Sequence, residues 1–278
     1  MDKILLVDGS NLLFQMFYGM PNEIKGNNGA DIRGTFGFIG ALLKMIRMLR
    51  ATHIAVFFDG EHENERCDIA PEYKANRPDY SKMALEETPF SQLPYIYAAL
   101  DKMGIVHKET EDCEADDLLS GYARSVKDKF IVISSNDSDL FQLINANVRI
   151  LLYRGDNSVL CDREYVYAKL GVYPERYVDY KSLTGDNSDN IRGCDKVGPK
   201  TAALLISQFN SLEEIIEGSD AIAKPSVRRA VCECKDRILL NRRLIKLDYC
   251  GELPFDITEM KYSDKYNTTR SVLEGIVF

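Results

Sequence analysis

The sequence contains little histidine and no tryptophan. Its 278 residues include only three histidines, at positions 53, 62 and 107, none of which is near another. This scarcity argues against a site built on a histidine base, nucleophile or paired metal ligand. The seven cysteines are scattered and odd in number, and Cys232 and Cys234 are closer together than zinc-knuckle ligands. Reduced thiols and a cytoplasmic location are therefore expected.

The sequence also lacks long apolar runs. None approaches the roughly 20 residues that a helix needs to cross a bilayer. The apolar N-terminal segment ILLV is ended at once by Asp8, so it is not the core of a signal peptide. We expect no membrane association. With 45% hydrophobic and 28% charged residues, the composition is that of a globular protein with one large domain or two smaller ones.

Short apolar runs alternate with helical patterns in the first 160 residues. The predicted strands are 3–7, 53–58, 104–108, 129–134 and 148–153, and the predicted helices are 34–50, 88–103, 114–127 and 138–145. Strands that are apolar throughout and separated by helices indicate an α/β fold with a mostly parallel sheet flanked by helices. In such sheets, ligands bind at the carboxyl ends of the strands.

The pattern becomes helical after about residue 160. The segments 162–183, 200–217 and 225–247 are predicted helices, whereas 249–278 has no clear pattern. Residues 224–246 carry eight Lys and Arg against only Glu233 and Asp236. This basic helix is equally compatible with a solvated face and with a binding surface.

Acidic residues follow the predicted strands. Nine carboxylates stand out: Asp8, Asp59, Glu114, Asp116, Asp117, Asp137, Asp139, Asp186 and Asp189. Any one of them alone is better explained as a helix cap or turn residue. Seven of them lie at or just past the ends of four apolar runs, however, and a parallel sheet brings those ends together. Such a cluster needs hard cations, which indicates two or more Mg²⁺ or Mn²⁺ ions.

The net charge of −8 argues by itself against nucleic-acid binding. Neutralising the nine clustered acids would change it to +1, so the acidity belongs mainly to the predicted metal site. The overall charge is therefore compatible with a DNA or RNA substrate.

Two stretches are suited to phosphate. The segment EYKANRPDYSK at 72–82 carries Lys74, Arg77 and Lys82, which could hold a phosphate, and Tyr73 and Tyr80, which could stack on an unpaired base. The alternative for this segment is a solvated helix end.

The second stretch is a glycine-containing turn, GCDKVGPKTA at 193–202, which feeds a helix predicted to start near Pro199. Backbone N–H groups at such a helix start bind phosphate without reading the base, and Lys196 and Lys200 add positive charge. The turn resembles a helix-hairpin-helix clamp on duplex DNA.

Six motifs in order make the chain similar to the 5′ nucleases, the family of the 5′→3′ exonuclease domain of bacterial DNA polymerase I and its stand-alone flap endonuclease relatives. The motifs are VDGSN, VFFDG, EYKANRP, EADD, SSNDSDLFQL and GDNSDNIRG…KVGPKTA, within residues 3–210. The resemblance implies a PIN-like catalytic region at 1–180 with a helical arch at about 62–90. It further implies a helix–three-turn–helix DNA-binding and helical region at 181–278.

The resemblance implies roles for individual residues. Ligands of a first metal would be Asp8, Asp59, Glu114 and Asp116; ligands of a second would be Asp137, Asp139, Asp186 and Asp189; and Asp117 would lie between the two groups. Lys74 and Arg77 would act on the scissile phosphate, with Asp116 and Asp139 as catalytic carboxylates. Duplex DNA would be held by Arg192, Gly193, Lys196, Val197, Gly198, Lys200 and Thr201, with a possible K⁺ in the turn.

The implied activity is structure-specific, metal-dependent hydrolysis of DNA by a monomer, at 5′ flaps, nicks or 5′ ends, in replication or repair. The products would carry a 5′-phosphate and a 3′-hydroxyl. Two positions depart from the family: Gln15 replaces a common Arg, and IRGCDKVGPK replaces the usual IPGVxGIGxK. These departures keep open a catalytically weak protein that binds branched DNA. A PIN-type ribonuclease is the other alternative.

Overall fold

One six-stranded sheet organises the N-terminal part of the protein. The computed structural model describes residues 2–27, 29–60, 65–249, 251–263, 265–266 and 268–278. The strands are β1 Lys3–Asp8, β2 His53–Phe58, β3 Val106–Glu109, β4 Phe130–Ser134, β5 Val148–Leu152 and β6 Val159–Cys161. Their order is β3-β2-β1-β4-β5-β6, and only β6 runs antiparallel to its neighbour. The chain leaves β1 toward β2 on one side and returns to β4 on the other, which creates a switch point at the end of β1.

Helices cover both faces of the sheet. They are α1 Gly9–Gly19, α2 Arg33–Leu49, α3 Glu65–Ile69, α4 Leu93–Met103, α5 Ala115–Ser125, α6 Arg163–Leu170, α7 Tyr177–Thr184, α8 Pro199–Gln208, α9 Leu212–Glu217, α10 Pro225–Ile245 and α11 Thr269–Leu273. Leu5 and Val7 of β1 pack into the core under α1, α2 and α4, whereas Ile4 and Leu6 pack into the core under α5. This alternation is the two-residue period of a strand buried on both faces.

The sheet confirms the predicted fold class, and the five predicted strands are present with shifts of one or two residues at their ends. Several local predictions were wrong. The structure adds β6 and α1, which the sequence reading missed, and residues 138–145 form a 3₁₀ helix at Ser138–Leu143 instead of an α-helix.

Two predicted long helices are divided. In the segment 162–183, α6 ends at Gly171, whose φ of 75° closes the helix, and α7 follows. In the segment 200–217, α8 and α9 are separated, and Ser211 caps α9 by accepting from the Glu214 N–H. The domain boundary predicted at 180/181 falls inside α7.

A separate apolar core holds the C-terminal helices together. Its buried members run from Val172 to Ile238 and include residues of α7, α8, α9 and α10. After α7 the chain forms a small antiparallel ribbon, β7 Gly185–Asp186 with β8 Ile191–Arg192, before α8 begins.

Two glycines close this ribbon. Gly185 has a φ of +76°, and a Cβ there would lie 2.3 Å from the Gly193 nitrogen. A Cβ on Gly193 would lie 2.2 Å from the Thr184 carbonyl oxygen. Both positions therefore require glycine, and the ribbon forms a tight backbone joint between α7 and the turn before α8.

In the described ranges, the longest helices are too short or too polar to span a bilayer. The six described cysteines form no disulfide.

Candidate active site

The switch point of the sheet presents the first carboxylates. Asp8 ends β1 and caps α1, because its Oδ1 accepts from the Asn11 N–H at 2.9 Å. Its Oδ2 accepts from the Ser135 hydroxyl, at the end of β4, at 2.7 Å. Asp59 follows β2, and its Oδ1 accepts from the Ala115 N–H at 2.9 Å. Hydrogen bonds thus tie the ends of three strands to the start of α5.

The opening turn of α5 supplies the next carboxylates. Glu114 is its N-cap residue and Asp116 its second helical residue. Glu114 precedes the first helical residue, so its side chain does not follow the helical spacing. Glu114 and Asp116 therefore line the same space although they are two residues apart. Asp116 accepts no hydrogen bond from any residue that the structure describes.

These residues face one cleft of about 470 Å³. Its acidic lining consists of Asp8, Asp59, Glu114, Asp116 and Asp137, and its basic lining consists of Lys74 and Arg77. The structure therefore brings together residues that are up to 129 positions apart in the sequence, from Asp8 to Asp137.

Burial and mutual repulsion disfavour the ionised carboxylates in this cleft. Burial, reinforced by Asp59, raises the pKa of Asp8 to about 7. Burial followed by the charges of Asp137, Asp8 and Asp59 raises the pKa of Asp116 well above its usual range. Positive charge placed among these groups would relieve both effects.

The chemistry of this donor set fits hard divalent cations. The carboxylates supply only oxygen, and the charge of Lys74 only partly offsets the burial and repulsion that act on Asp116. As the side chains stand in the described ranges, no three of them converge on one ion. Protein cations stand among them instead: the ammonium of Lys74 bonds to Glu114, and that of Lys181 bonds to Asp186.

A second acidic group lies on the 3₁₀ helix Ser138–Leu143 and on the β7–β8 ribbon. Asp139 accepts from the Tyr177 hydroxyl at 3.1 Å, and Lys181 lies 3.9 Å from the same oxygen. Burial, followed by the charge of Asp137, raises the pKa of Asp139 to about 8. Burial alone would also raise the pKa of Asp186, but hydrogen bonds from Lys181 and Ser188 lower it.

Asp137 joins the two groups. It lines the cleft with the first group, and it is the strongest charged neighbour of both Asp116 and Asp139. Asp137 therefore lies where the two groups meet, and its place among the ligands of the second metal stays a prediction. Asp189 completes the second group and is held by Arg77 Nη2 at 2.9 Å.

Asp117 is placed differently from its prediction. It faces away from the cleft and binds both terminal nitrogens of Arg66, at 2.6 and 2.8 Å. Its Oδ2 also accepts from the Glu114 N–H at 3.1 Å, which caps α5. Both oxygens are thus occupied, so we leave Asp117 out of the proposed ligand set.

Tyr73 also differs from its prediction. Its side chain is buried, and its hydroxyl donates to Glu114 at 3.2 Å, so it has no face for a nucleobase. The accessible aromatic surface at the cleft comes from Phe14, Tyr80 and Phe90, whose rings make edge contacts with centroids 5.5–5.7 Å apart. Phe14 was missed because α1 was missed.

The predicted arch segment 62–90 contains α3 and the 3₁₀ turns Tyr80–Lys82 and Leu85–Glu87, and Pro89–Gln92 continues into α4. Its residues 62–64 lie outside the described residues. Lys82 is exposed, and among the described residues its ion pair is with Asp79, at 2.8 Å. Lys74 has a φ of 56°, an unusual conformation for lysine that directs it toward the acidic cluster.

Gln15 has a structural role in this protein. Its Nε2 donates to the Tyr153 carbonyl at 2.7 Å, and its Oε1 accepts from Asn136 at 2.9 Å. The side chain therefore links the segments that follow β4 and β5, close to the acidic residues after β4.

The predicted phosphate-binding turn leads into α8 as expected. Gly198 is the N-cap residue without a side-chain cap, and Pro199 is the first helical residue. Lys196, Gly198 and Lys200 are exposed, which leaves the turn and the first N–H groups of α8 accessible. Val197 is buried, so its predicted contact with DNA is corrected to a packing role.

Other cations near the turn have protein partners. Arg192 binds Asp195 at 3.1 Å, which offsets its charge at the surface. On α10, Arg228 donates to the Ile222 carbonyl and Arg242 pairs with Glu213. Part of the basic character of α10 is therefore used within the protein.

Comparison with known proteins agrees with this geometry. The family model described as "5'-3' exonuclease, N-terminal resolvase-like domain" matches residues 3–171, and "5'-3' exonuclease, C-terminal SAM fold" matches residues 172–268. DNA polymerase I of Bacillus subtilis is 33% identical over 267 residues, which are 94% of this chain and 29% of the relative. Thermostable DNA polymerase I of Thermus thermophilus is 33% identical over 257 residues, 92% of this chain and 29% of the relative. The chain thus spans less than a third of the length of these relatives.

Solved structures share the fold. T5 5′-exonuclease with bound zinc matches with a TM-score of 0.72 at 21% identity, covering 88% of this chain and 89% of its own. The catalytic core of Rad2 in complex with DNA substrate matches with a TM-score of 0.61 at 14% identity, covering 99% and 87%. At these identities the likeness establishes the fold of the whole described chain.

Proposed function

Because the chain belongs to the 5′-3′ exonuclease family, we propose that it hydrolyses DNA near single-strand/duplex junctions. It acts as a 5′→3′ exonuclease and 5′-flap endonuclease and leaves a 5′-phosphate and a 3′-hydroxyl. The observation that carries this proposal is the cleft, in which five carboxylates and two cations face each other. The ribbon β7–β8 joins this region directly to a phosphate-binding turn.

We propose two cation positions. One Mg²⁺ or Mn²⁺ would be held by Asp8, Asp59, Glu114 and Asp116. A second would be held by Asp139, Asp186 and Asp189. Asp137 would lie between the two ions and could bind either. Bound there, such ions supply Lewis-acid stabilisation of charge on the phosphate oxygens and lower the pKa of a coordinated water.

Lys74 and Arg77 bind the scissile phosphate. Both line the cleft, and both are held ready by carboxylates, Lys74 by Glu114 and Arg77 by Asp189. An incoming phosphate competes for these cations. When they turn toward it, they place positive charge beside the reacting group.

The aromatic wall orients the nucleotide next to the cut. Phe14, Tyr80 and Phe90 line the same cleft and offer apolar ring surface to an unstacked base. A base in contact with this wall also excludes water from the carboxylate side.

The turn before α8 holds the duplex farther along. Accessible N–H groups at a helix start bind a phosphate oxygen regardless of sequence, and Lys196 and Lys200 add charge. Recognition is therefore of backbone shape, as a structure-specific nuclease requires. The K⁺ in this turn, the monomeric state, the cytoplasmic location and the role in replication or repair stay predictions.

Cleavage of a 5′-flap DNA with a mapped cut position tests the proposal. We expect cutting near the junction in Mg²⁺ or Mn²⁺, none in EDTA, and a loss of about 10²-fold or more in Asp116→Asn/Asp139→Asn. Full activity of that double variant would overturn the proposal. Tight flap binding in Ca²⁺ without cleavage in either metal would favour a DNA-binding scaffold, and preferred cutting of single-stranded RNA a ribonuclease.

A further inference from the structure

Arg66 of α3 is buried beside the cleft but does not line it. Only 12% of its side chain is exposed, and it borders a second cavity of about 550 Å³ on the far side of Asp117. Its guanidinium binds Asp117 through Nη1 and Nη2, at 2.8 and 2.6 Å. Its Nε donates to the Leu244 carbonyl at 3.0 Å, near the end of α10. Arg66 is therefore fixed in position by two other elements of the fold.

From this fixed position Arg66 reaches Glu114. Nη1 donates to Glu114 Oε2 at 3.2 Å, and the Tyr73 hydroxyl donates to the same oxygen at 3.2 Å. The other oxygen, Oε1, is bound by the ammonium of Lys74. The two oxygens of Glu114 thus have different partners, of which only Lys74 faces the cleft.

This division suits a carboxylate that exchanges one partner during the reaction. When Lys74 turns to the phosphate, Oε1 becomes available to a cation, whereas Oε2 remains held from behind. Without Arg66, Oε2 would keep the Tyr73 hydroxyl but lose the charge of the guanidinium as Lys74 left.

We propose that Arg66 is a positioning residue that keeps Glu114 oriented for a divalent cation when Lys74 engages DNA. The inference rests on the proposed function. It adds that residues 66–74, at the base of the predicted arch, orient a metal ligand as well as contacting the substrate. The expected effect of losing such an outer partner is a 10- to 100-fold loss of metal affinity.

A simple Arg66→Gln variant is ambiguous, because it leaves Asp117 buried without its cation and thereby destabilises the fold. The double variant Arg66→Gln/Asp117→Asn removes both charges and keeps the shapes of the side chains. It separates the loss of folding from the loss of the hold on Glu114. Asp117→Asn alone keeps Arg66 next to Glu114 and serves as the first control.

Arg176→Gln is the matched control for loss of an arginine. Arg176 also binds one carboxylate, Asp179 at 2.8 Å, and one carbonyl, that of Phe209 at 3.0 Å. It lies on the 3₁₀ turn Pro174–Arg176, outside the residues lining the cleft. Arg176→Gln therefore tests whether the loss of an arginine bound to a carboxylate and a carbonyl elsewhere in the protein also weakens Mn²⁺ binding.

The measurement is calorimetric titration of Mn²⁺ into the metal-free proteins, together with their thermal unfolding. We expect the double variant to fold and to bind Mn²⁺ about 10- to 100-fold more weakly than wild type. Asp117→Asn and Arg176→Gln should keep the wild-type affinity for Mn²⁺. Arg66→Lys should bind Mn²⁺ more tightly than the double variant does and more weakly than wild type. The Mg²⁺ concentration for half-maximal cleavage should rise in the same order.

Wild-type Mn²⁺ affinity in the folded double variant would overturn the inference, as would an equal loss in Arg176→Gln. Failure of the proposed function has a different signature. In that case the wild-type protein does not cut flap DNA, whatever the order of Mn²⁺ affinities.

Discussion

Asp139→Asn should stabilise the metal-free protein at neutral and basic pH while it abolishes cleavage. The substitution keeps the shape of the side chain. It also keeps an oxygen that can accept from the Tyr177 hydroxyl, which lies 3.1 Å from Asp139 Oδ1 in the wild-type protein. Lys181 keeps its other partner, Asp186. The main change is therefore the loss of one negative charge from a buried acidic group.

The magnitude follows from the raised pKa of Asp139. The folded protein holds a proton on this carboxyl up to about pH 8, whereas the unfolded chain releases it near 3.8. Stability is therefore lost as the pH rises from 3.8 to about 8 and stays reduced above that. At about 1.4 kcal/mol per pKa unit, the upper bound is roughly 6 kcal/mol. Because part of this shift comes from the charge of Asp137, whose own protonation changes in the variant, we expect a gain of about 1–3 kcal/mol at pH 8.

Urea unfolding in EDTA at about pH 5 and about pH 8 measures this gain. The gain should be clearly larger at the higher pH. Asp156→Asn is the control, because Asp156 is exposed and its pKa is lowered by a hydrogen bond from Lys44. An equal gain at both pH values, or a loss at the higher one, would refute the reasoning. Added Mg²⁺ should stabilise the wild type more than the variant.

Four further substitutions test the cleft and the turn. Lys74→Ala should lower the single-turnover cleavage rate about 10²–10³-fold with little change in flap affinity in Ca²⁺; a purely weaker affinity would contradict its place at the scissile phosphate. Gly193→Ala places a Cβ 2.2 Å from the Thr184 carbonyl oxygen, and we expect a loss of about 2–4 kcal/mol in urea unfolding. Lys196, with a φ of 64°, occupies a position where the family usually has glycine, so Lys196→Gly should gain about 1 kcal/mol of stability but bind flap DNA more weakly. Lys200→Ala should reduce the slope of log Kd against log salt by about 1, and an unchanged slope would place Lys200 away from the DNA.

The sheet and the acidic edge were predictable because each depends on local pattern. Asp8 and Asp59 follow runs that are apolar throughout, and such runs become buried parallel strands whose ends meet. The helix start at Pro199 was predictable for a similar reason, since proline fits the first helical position.

Other features depend on contacts between distant segments. No local pattern shows that Asp117 is bound by Arg66, which lies 51 residues earlier in the sequence. The burial of Tyr73 likewise follows from packing against Glu114 and Asp189. Helix α1 was missed because glycine, serine and asparagine favour turns, and the cap from Asp8 outweighs that preference.

Gly185 and Gly193 of the β7–β8 ribbon determine which changes of sequence this segment can accept. Exposed side chains on either side of Gly193 differ from the family pattern, as Arg192 and Lys196 show, while the number of residues is the same. A joint made of backbone contacts tolerates exchange of outward side chains but not an insertion or a deletion. Under the proposed function, sequence changes at these exposed positions alter how strongly the turn binds DNA, whereas the length of chain between the turn and the acidic residues stays constant.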